Sequence, residues 1–442
     1  MTPSVMWFRR DLRLSDNPAL VEAARSGDDV LALYVIDPRL WRVAGAARRA
    51  FLVGCLRELD GSIGGRLCVR HGDPVTEVPD AASEVGAEKV FCAADFGPYG
   101  AARDDAVAAH VELERIGSPY AVAPGSIATG AGGHYKVFTP YSRAWRAHGW
   151  ARPIKAPAVS WRDAAAGDGI PAAPAIDAAL PEPGEAAAKL AARRFWDRHL
   201  DGYAEGRDRP DLDATSRLSP YLRWGCIHPR QLLAKLGTSK ADDVFRTELC
   251  WREFYADVLH HRPDTARSAF LSKMQAMRVD AGAAADARFA AWADGRTGYP
   301  IVDAGMRQLH GEAWMHNRVR MIVASFLVKD LHLDWARGAR LFMDLLVDGD
   351  LASNQHGWQW TAGTGTDAAP YFRVFNPVSQ GLRFDPEGDY VRRWVPELRG
   401  IEGPAAHEPW RLAAAPAGYP ARIVDHARER EEALARLAEL RT

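Results

Sequence analysis

The chain has 442 residues, of which 47% are apolar and 26% charged, and its 56 basic residues almost balance 57 acidic ones. This composition is typical of a globular protein of two or three domains, and it excludes a disordered chain, a collagen-like repeat and a coiled coil. The net charge of -1 argues against a histone-like polycation but leaves room for a local basic surface.

No segment has the pattern of an export signal or a membrane anchor. No run approaches the roughly twenty apolar residues that a membrane helix needs, so we expect a soluble, cytoplasmic protein without a membrane partner. The five cysteines are scattered and form no CxxC pair, which argues against a disulfide framework and against a zinc site.

Short apolar runs alternate with helical stretches in the first part of the chain. The runs at 5–8, 30–36, 67–69 and 89–92 predict strands, and the stretches 17–26 and 47–59 predict helices. This alternation is typical of a doubly wound parallel sheet. Because no GxGxxG follows the first strand and GxxxxGK[ST] is absent, we expect neither a nicotinamide-dinucleotide site nor a P-loop.

A stretch rich in Ala, Pro and Gly, from about 151 to 185, separates this part from a helical one. Ten of the fifteen tryptophans lie beyond it. We predict an α/β domain over 1–130, an interdomain linker over 131–185 and an all-α domain over 186–442, whose last helix runs from about 421 to 440.

Three motifs of the helical part carry residues suited to ligand binding. TSRLSPYLRWG, at 215–225, offers hydroxyls and a guanidinium at a helix start, which suits a diphosphate; alternatively, Ser219 is a simple N-cap followed by a proline. ELCWREFY places Glu248 and Trp251 on one helix face. WMHNRVRM places Asn317, Arg320 and Met321 in one stripe, which either packs against other side chains or binds a cofactor.

The segment 348–360 is the densest in polar and aromatic groups. It contains Asp348, Asp350, Asn354, Trp358 and Trp360. The two carboxylates could bind Mg²⁺ or Ca²⁺, but the surrounding arginines and tryptophans favour an organic ligand, and we predict no metal.

These motifs occur in an order that resembles the cryptochrome/photolyase family. TSRLSPYLRWG, ELCWREFY, WMHNRVRM, DGDLASN and GWQWTAGTGTDAAPYFRVFNP carry the resemblance, together with VMWFRRDLRLSDNPAL near the start. The finer match is to class I cyclobutane pyrimidine dimer photolyases. The resemblance implies an α/β domain joined by a long linker to a helical FAD-binding domain, and repair of pyrimidine dimers in damaged DNA by electron transfer from photoexcited FADH⁻ in a monomer.

The resemblance also implies a role for individual residues. Those expected to bind FAD are Tyr203, Thr215, Ser216, Arg217, Leu218, Ser219, Asn317, Arg320, Asp348, Asp350 and Asn354, the last at flavin N5. Those expected to bind the dimer and its DNA are Glu248, Trp251, Asn317, Arg318, Met321 and Trp360. Glu248 would act as a hydrogen-bonding group that stabilises charge on the dimer, not as a general base.

Relatives reduce their flavin through a chain of tryptophans. Trp358 fits the position beside the flavin and Trp335 the middle one, although packing alone would also explain Trp335. The outer member is missing, because residues 271–288 contain no aromatic side chain. Either Trp292 or a tyrosine ends the path, or photoreduction is inefficient.

The resemblance also implies an antenna chromophore, which we expect at Arg48, Asp95 and Tyr99. Gly100 stands where folate-binding relatives carry an acidic residue, so 8-hydroxy-deazaflavin is favoured over methenyltetrahydrofolate, and an empty groove is the alternative. Two other functions fit the motifs: a cryptochrome-type blue-light photoreceptor, and a non-enzymatic flavin-binding electron-transfer protein.

Overall fold

The computed structural model describes residues 3–163, 167–366 and 372–440. Tertiary contacts divide the chain into two compact units. The first comprises Met1–Ile176, Leu180–Asp201 and Ser216–Pro263, and the second comprises Asp177–Ala179, Gly202–Thr215 and Asp264–Thr442.

The first unit contains a parallel sheet. Its strands are Ser4–Phe8 (β1), Val30–Ile36 (β2), Leu67–His71 (β3), Lys89–Cys92 (β4) and Glu112–Arg115 (β5), in the order β3-β2-β1-β4-β5. The first four match the predicted runs, because strands buried on both faces are continuously apolar. The sequence prediction missed β5, a polar edge strand with no buried residue.

The helices follow one another along the chain as Pro18–Ser26 (α1), Pro38–Val43 (α2), Ala46–Ser62 (α3), Pro74–Val85 (α4), Pro98–Ala108 (α5), Phe138–His148 (α6), Gly184–Arg198 (α7), Tyr203–Gly206 (α8), Ser219–Trp224 (α9), Pro229–Leu233 (α10), Lys240–His261 (α11), Ala283–Ala293 (α12), Pro300–Glu312 (α13), Asn317–Ser325 (α14), Trp335–Leu345 (α15), Leu351–Ala362 (α16), Pro377–Phe384 (α17), Asp389–Trp394 (α18) and His426–Glu439 (α19). The predicted helices at 17–26, 47–59 and 421–440 correspond to α1, α3 and α19. Short 3₁₀ turns occupy Pro263–Ala266, Ser272–Ala276, Pro396–Leu398, Gly403–His407 and Pro409–Arg411, and a π turn occupies Phe326–Asp330. No described helix is long and apolar enough to cross a membrane.

The two units do not follow the predicted domain boundaries. Helices α7, α9, α10 and α11 belong to the first unit, because α7 packs on α3 and α11 packs on α6. The predicted linker runs along the sheet: Val30 donates its backbone N–H to Ser160, and Asp168 donates to Val69 at 2.7 Å. The predicted fold class, a doubly wound sheet followed by helices, is confirmed.

The second unit has a helical core. Helix α13 packs on α14 and α18, and α15 packs on α16. Three tryptophans, Trp292, Trp335 and Trp358, lie in this core. The unit therefore supplies a rigid frame for the faces of α14 and α16 that are not buried.

Candidate functional site

Helix α14 presents the predicted residues of WMHNRVRM on its less buried face. It buries Val319 and Ile322, whereas Asn317 is exposed and Arg318, Arg320 and Met321 are half-buried. His316 caps the helix by accepting a hydrogen bond from the Arg318 backbone N–H. The polar stripe therefore remains available for a ligand instead of packing into the core.

Both arginines of this face are held in place. The Arg318 guanidinium pairs with Asp208 at 2.8 Å and lies 4.5 Å above the Phe384 ring. Its Nη1 lies 3.7 Å from Sδ of Met321. These contacts fix the orientation of Arg318 before any ligand arrives.

Arg320 links α14 to the segment that precedes α16. Its Nη2 lies 2.8 Å from Asp348, and its Nε donates to the backbone carbonyl of Met315 at 2.8 Å. Asp350 accepts a hydrogen bond from the Ser353 backbone N–H and caps α16. Both carboxylates of the DxD sequence thus have partners within the protein.

Helix α16 has a half-buried face that contains Asn354, Gly357 and Trp360. The Asn354 amide nitrogen donates to the Ala339 carbonyl at 3.0 Å and to the Gln355 side chain at 2.9 Å, which leaves its oxygen as an acceptor. A Cβ added at Gly357 would meet no heavy atom within 4 Å. This face offers an oriented amide beside open space.

The opposite face of α16 is fixed by residues that the sequence prediction did not identify. The buried Gln359 donates to the carbonyls of Thr265 and Ser268 and accepts from the Phe270 backbone N–H. His356 is fully buried, and burial lowers its pKa to about 4. His356 is therefore a neutral packing residue. Nothing in the sequence distinguishes His356 or Gln359 from the predicted binding residues beside them.

The tryptophans proposed to carry electrons differ in exposure. Trp358 is 3% exposed, and its Nε1 has no hydrogen-bond partner in the described residues. Trp335 is 9% exposed and begins α15. Trp292 has no exposed surface, donates to the Val323 carbonyl and lies 6.1 Å from the Trp358 ring. The idea that Trp292 ends the path at the surface is therefore wrong.

In the first unit, residues 216–219 form a turn with an unusual backbone. Arg217 has φ of 48°, a value that is uncommon for residues other than glycine and often occurs at functional sites. Helix α9 begins at Ser219, and its N-cap is Leu218, without a side-chain capping bond. The alternative interpretation, Ser219 as an N-cap, is therefore wrong. Tyr203, which is buried, and Thr215, which is half-buried, belong to the second unit.

Helix α11 of the first unit carries Glu248 and Trp251 on a half-buried face. The Trp251 ring stacks on Phe138 with centroids 3.6 Å apart and planes 6° from parallel. It also contacts Tyr255 and Phe254. Phe138 supports one face of the indole, and Trp251 as a whole is only half-buried. Trp251 can therefore act as an aromatic stacking surface and is not a core residue.

The predicted antenna residues lie near the carboxyl ends of the strands. Asp95 follows β4, and its pKa is lowered by Arg10 and Arg103, which outweigh the opposing effect of burial. Tyr99 donates to Asp37, and burial together with that carboxylate raises its pKa to about 12. Arg48 is buried in α3.

Gly100 faces Asp95 directly. A Cβ added at Gly100 would overlap the Asp95 carboxylate, which is held by Gly97 and Arg103. An acidic side chain at position 100 therefore cannot coexist with this placement of Asp95. Open α/β sheets bind ligands at the carboxyl ends of strands beside a switch in strand order, and here that switch lies between β1 and β4.

Known proteins match nearly the whole chain. Residues 4–158 match the family model described as DNA photolyase, and residues 245–439 match the FAD binding domain of DNA photolyase. The chain is 43% identical to a deoxyribodipyrimidine photo-lyase of Streptomyces griseus, over 97% of this chain and 98% of that protein. It is 39% identical to the enzyme of the same name from Escherichia coli, over 98% of each.

A solved structure is similar at the level of the fold. A bacterial class III photolyase from Agrobacterium tumefaciens superposes with a TM-score of 0.90 and 37% identity, covering 100% of this chain and 98% of that one.

Proposed function

The chain belongs to the DNA photolyase family, and from this premise we propose that it uses light to split cyclobutane pyrimidine dimers in DNA. The observation that carries the proposal is identity of about 40% with deoxyribodipyrimidine photo-lyases over nearly the full length of both chains. The reaction is a lyase reaction without net oxidation or reduction. The class I assignment stays a prediction. We also propose a cytoplasmic monomer, since one flipped lesion needs a single site.

FAD is the cofactor that the matched family domain binds. The described residues fit a flavin, because Gly357 faces open space beside an Asn354 carbonyl oxygen free to accept a hydrogen bond. When bound and reduced, FAD supplies one electron on absorbing light. We assign Tyr203 and residues 215–219 to FAD binding, the latter to its diphosphate.

Asn354 would act at N5 of the flavin. Its amide nitrogen is engaged by Ala339, so its oxygen is presented to a protonated ring nitrogen. A neutral amide binds that N–H without adding a charge to the ring. The Arg320–Asp348 ion pair and the Asp350 N-cap fix the segment that we assign to the ribose and flavin.

We assign Trp251 and Trp360 to binding of the dimer, each as an aromatic stacking surface. A dimer is poorly stacked in the duplex, so flipping it out costs less than flipping normal bases. Stacking on an aromatic side chain contributes about 1–3 kcal/mol per base, and the Phe138 backing keeps the Trp251 plane fixed. Asn317, Arg318 and Met321 would contact the flipped nucleotides.

Glu248 lies on the same helix face as Trp251. We assign it a hydrogen bond to the dimer that favours the added electron on the pyrimidines. It does not abstract a proton in this scheme.

Trp358 and Trp335 would supply electrons when the flavin is oxidised. Because Trp358 Nε1 has no acceptor in the described residues, an oxidised indole there keeps its proton. Trp335 then gives an electron to Trp358, and the positive charge passes to Trp335.

For the antenna we propose 8-hydroxy-deazaflavin near Arg48, Asp95 and Tyr99. The support is the carboxylate of Asp95, which fills the space an acidic residue at position 100 would need. Extraction of the pigment and its absorption spectrum test this assignment, and recovery of methenyltetrahydrofolate would contradict it.

The repair proposal is tested with purified protein, chemically reduced FAD and an oligonucleotide that contains one thymine dimer. We expect loss of the dimer under blue light and none in the dark. Protein that binds reduced FAD but leaves the dimer intact in the light would refute repair and favour a cryptochrome-type photoreceptor. Trp251→Ala is the matched variant, expected to bind FAD normally and the dimer weakly.

A further inference from the structure

A cavity of about 310 Å³ lies within the second unit beside Trp335. Its walls include Met274, Met277, Leu333 and Phe372. Small-molecule sites are typically concave, largely apolar pockets of roughly 300–1,000 Å³. The cavity therefore lies at the lower end of this range, which suits a ligand of mononucleotide size better than a dinucleotide.

The cavity adjoins Trp335, the second of the two tryptophans that we propose carry electrons. Trp358 is buried, whereas Trp335 lines the cavity. Residues of 274–279 also line the cavity, and they belong to the stretch 271–288 that has no aromatic side chain. This stretch therefore offers Trp335 no aromatic electron donor, whereas a molecule bound in the cavity would lie beside Trp335.

The side chains that line the cavity favour a ligand with a flat ring and an anionic group. Methionine sulfur and apolar side chains pack well against a flat ring. Of the three arginines that line the cavity, Arg278 and Arg436 are paired with acidic residues. Arg267 is exposed at the rim and has no ion pair among the described residues. One anionic group, such as a phosphate, would complement it.

We propose that this cavity binds a dihydronicotinamide mononucleotide, or a reductant of that class, which returns electrons to oxidised Trp335. The proposal rests on the proposed function, because it requires electron flow from Trp335 through Trp358. The dihydropyridine releases two electrons and one proton and becomes the nicotinamide cation. Two successive transfers through Trp335 deliver those electrons, and full reduction of FAD to FADH⁻ takes up two electrons and one proton.

Binding is tested in the dark by calorimetric titration of the FAD-loaded protein with reduced nicotinamide mononucleotide. We expect saturable binding that weakens about tenfold or more in Arg267→Gln, because a charge-assisted hydrogen bond is lost. Lys273→Gln is the control, since Lys273 is exposed on the same segment but does not line the cavity. No binding, or equal weakening in both variants, would overturn the proposal.

The electron step is tested by transient absorption of the oxidised tryptophan after a light flash. Its decay rate should saturate as the reductant concentration rises, and Arg267→Gln should shift the half-saturation point upward. A strictly linear dependence would indicate collision without a site and overturn the proposal.

A repair assay with dithionite-reduced protein separates the two hypotheses. If no form of the protein binds the reductant, the cavity site is refuted. If the dithionite-reduced Arg267→Gln protein still splits the dimer in that case, the repair proposal stands. Loss of repair in the dithionite-reduced wild-type protein would refute the proposed function, while the dark titration would still report on the cavity by itself.

Discussion

Gly357→Ala separates the stability of α16 from its proposed role in binding FAD. The added Cβ would meet no heavy atom within 4 Å, so it introduces no clash in the apoprotein. Alanine is favoured over glycine inside a helix by about 0.5–1 kcal/mol. The free energy of unfolding of the apoprotein should therefore rise by about this amount, measured by urea denaturation.

The same methyl group should weaken FAD binding. It would occupy part of the open space beside Asn354, which we assign to the flavin. We expect a loss of affinity of at least about tenfold, equivalent to roughly 1.4 kcal/mol, measured by quenching of flavin fluorescence. A more stable apoprotein that binds FAD less tightly is the combined result that the structure predicts.

Gly338→Ala is the matched control on the neighbouring helix. Its Cβ would overlap the Trp358 ring and lie 2.6 Å from Leu327, so overpacking should destabilise the apoprotein by about 1–3 kcal/mol. If Gly357→Ala binds FAD as tightly as the wild type does, the flavin does not lie on this face of α16. If Gly357→Ala lowers the stability of the apoprotein, the space beside it is not open.

Three further predictions concern electron transfer, the substrate and pH. Trp358→Phe should block photoreduction of oxidised FAD and spare repair after chemical reduction; normal photoreduction would disprove its role as the first donor. Glu248→Ala should lower the repair yield per absorbed photon while the absorbance of bound FAD stays unchanged, and an unchanged yield would remove its proposed role. The buried Asp385 accepts hydrogen bonds from the backbone N–H groups of Tyr390 and Val391, and burial raises its pKa to about 6. Because the folded protein favours the protonated carboxyl, this group should lower the free energy of unfolding by roughly 2 kcal/mol as pH rises from about 4 to about 6. Urea denaturation of the wild type and Asp385→Asn at both ends of this range should show their stability difference changing by that amount, and a constant difference would contradict the assignment.

The sequence alone predicted the parallel sheet, its first four strands and the motifs that identify the family. These features are local: apolar runs have the length of a strand, and each motif is continuous in the chain. It missed β5 because a polar edge strand buries nothing and so shows no apolar run. It also placed the start of the helical domain at 186, whereas packing of α7 on α3 and of α11 on α6 groups these helices with the sheet.

Contacts between residues far apart in the chain were decided only by the tertiary structure. The sequence predicted Trp251 as a pocket wall, but not that Phe138, more than a hundred positions earlier, stacks behind it. The resemblance placed Gly100 where folate-binding relatives carry an acidic residue, but it did not show that Asp95 fills the space. The absence of aromatic residues from 271 to 288 could be seen in the sequence, whereas the cavity beside Trp335 could not. Residue types and spacing report local geometry and chemistry, but the volume between side chains is set by how distant segments pack.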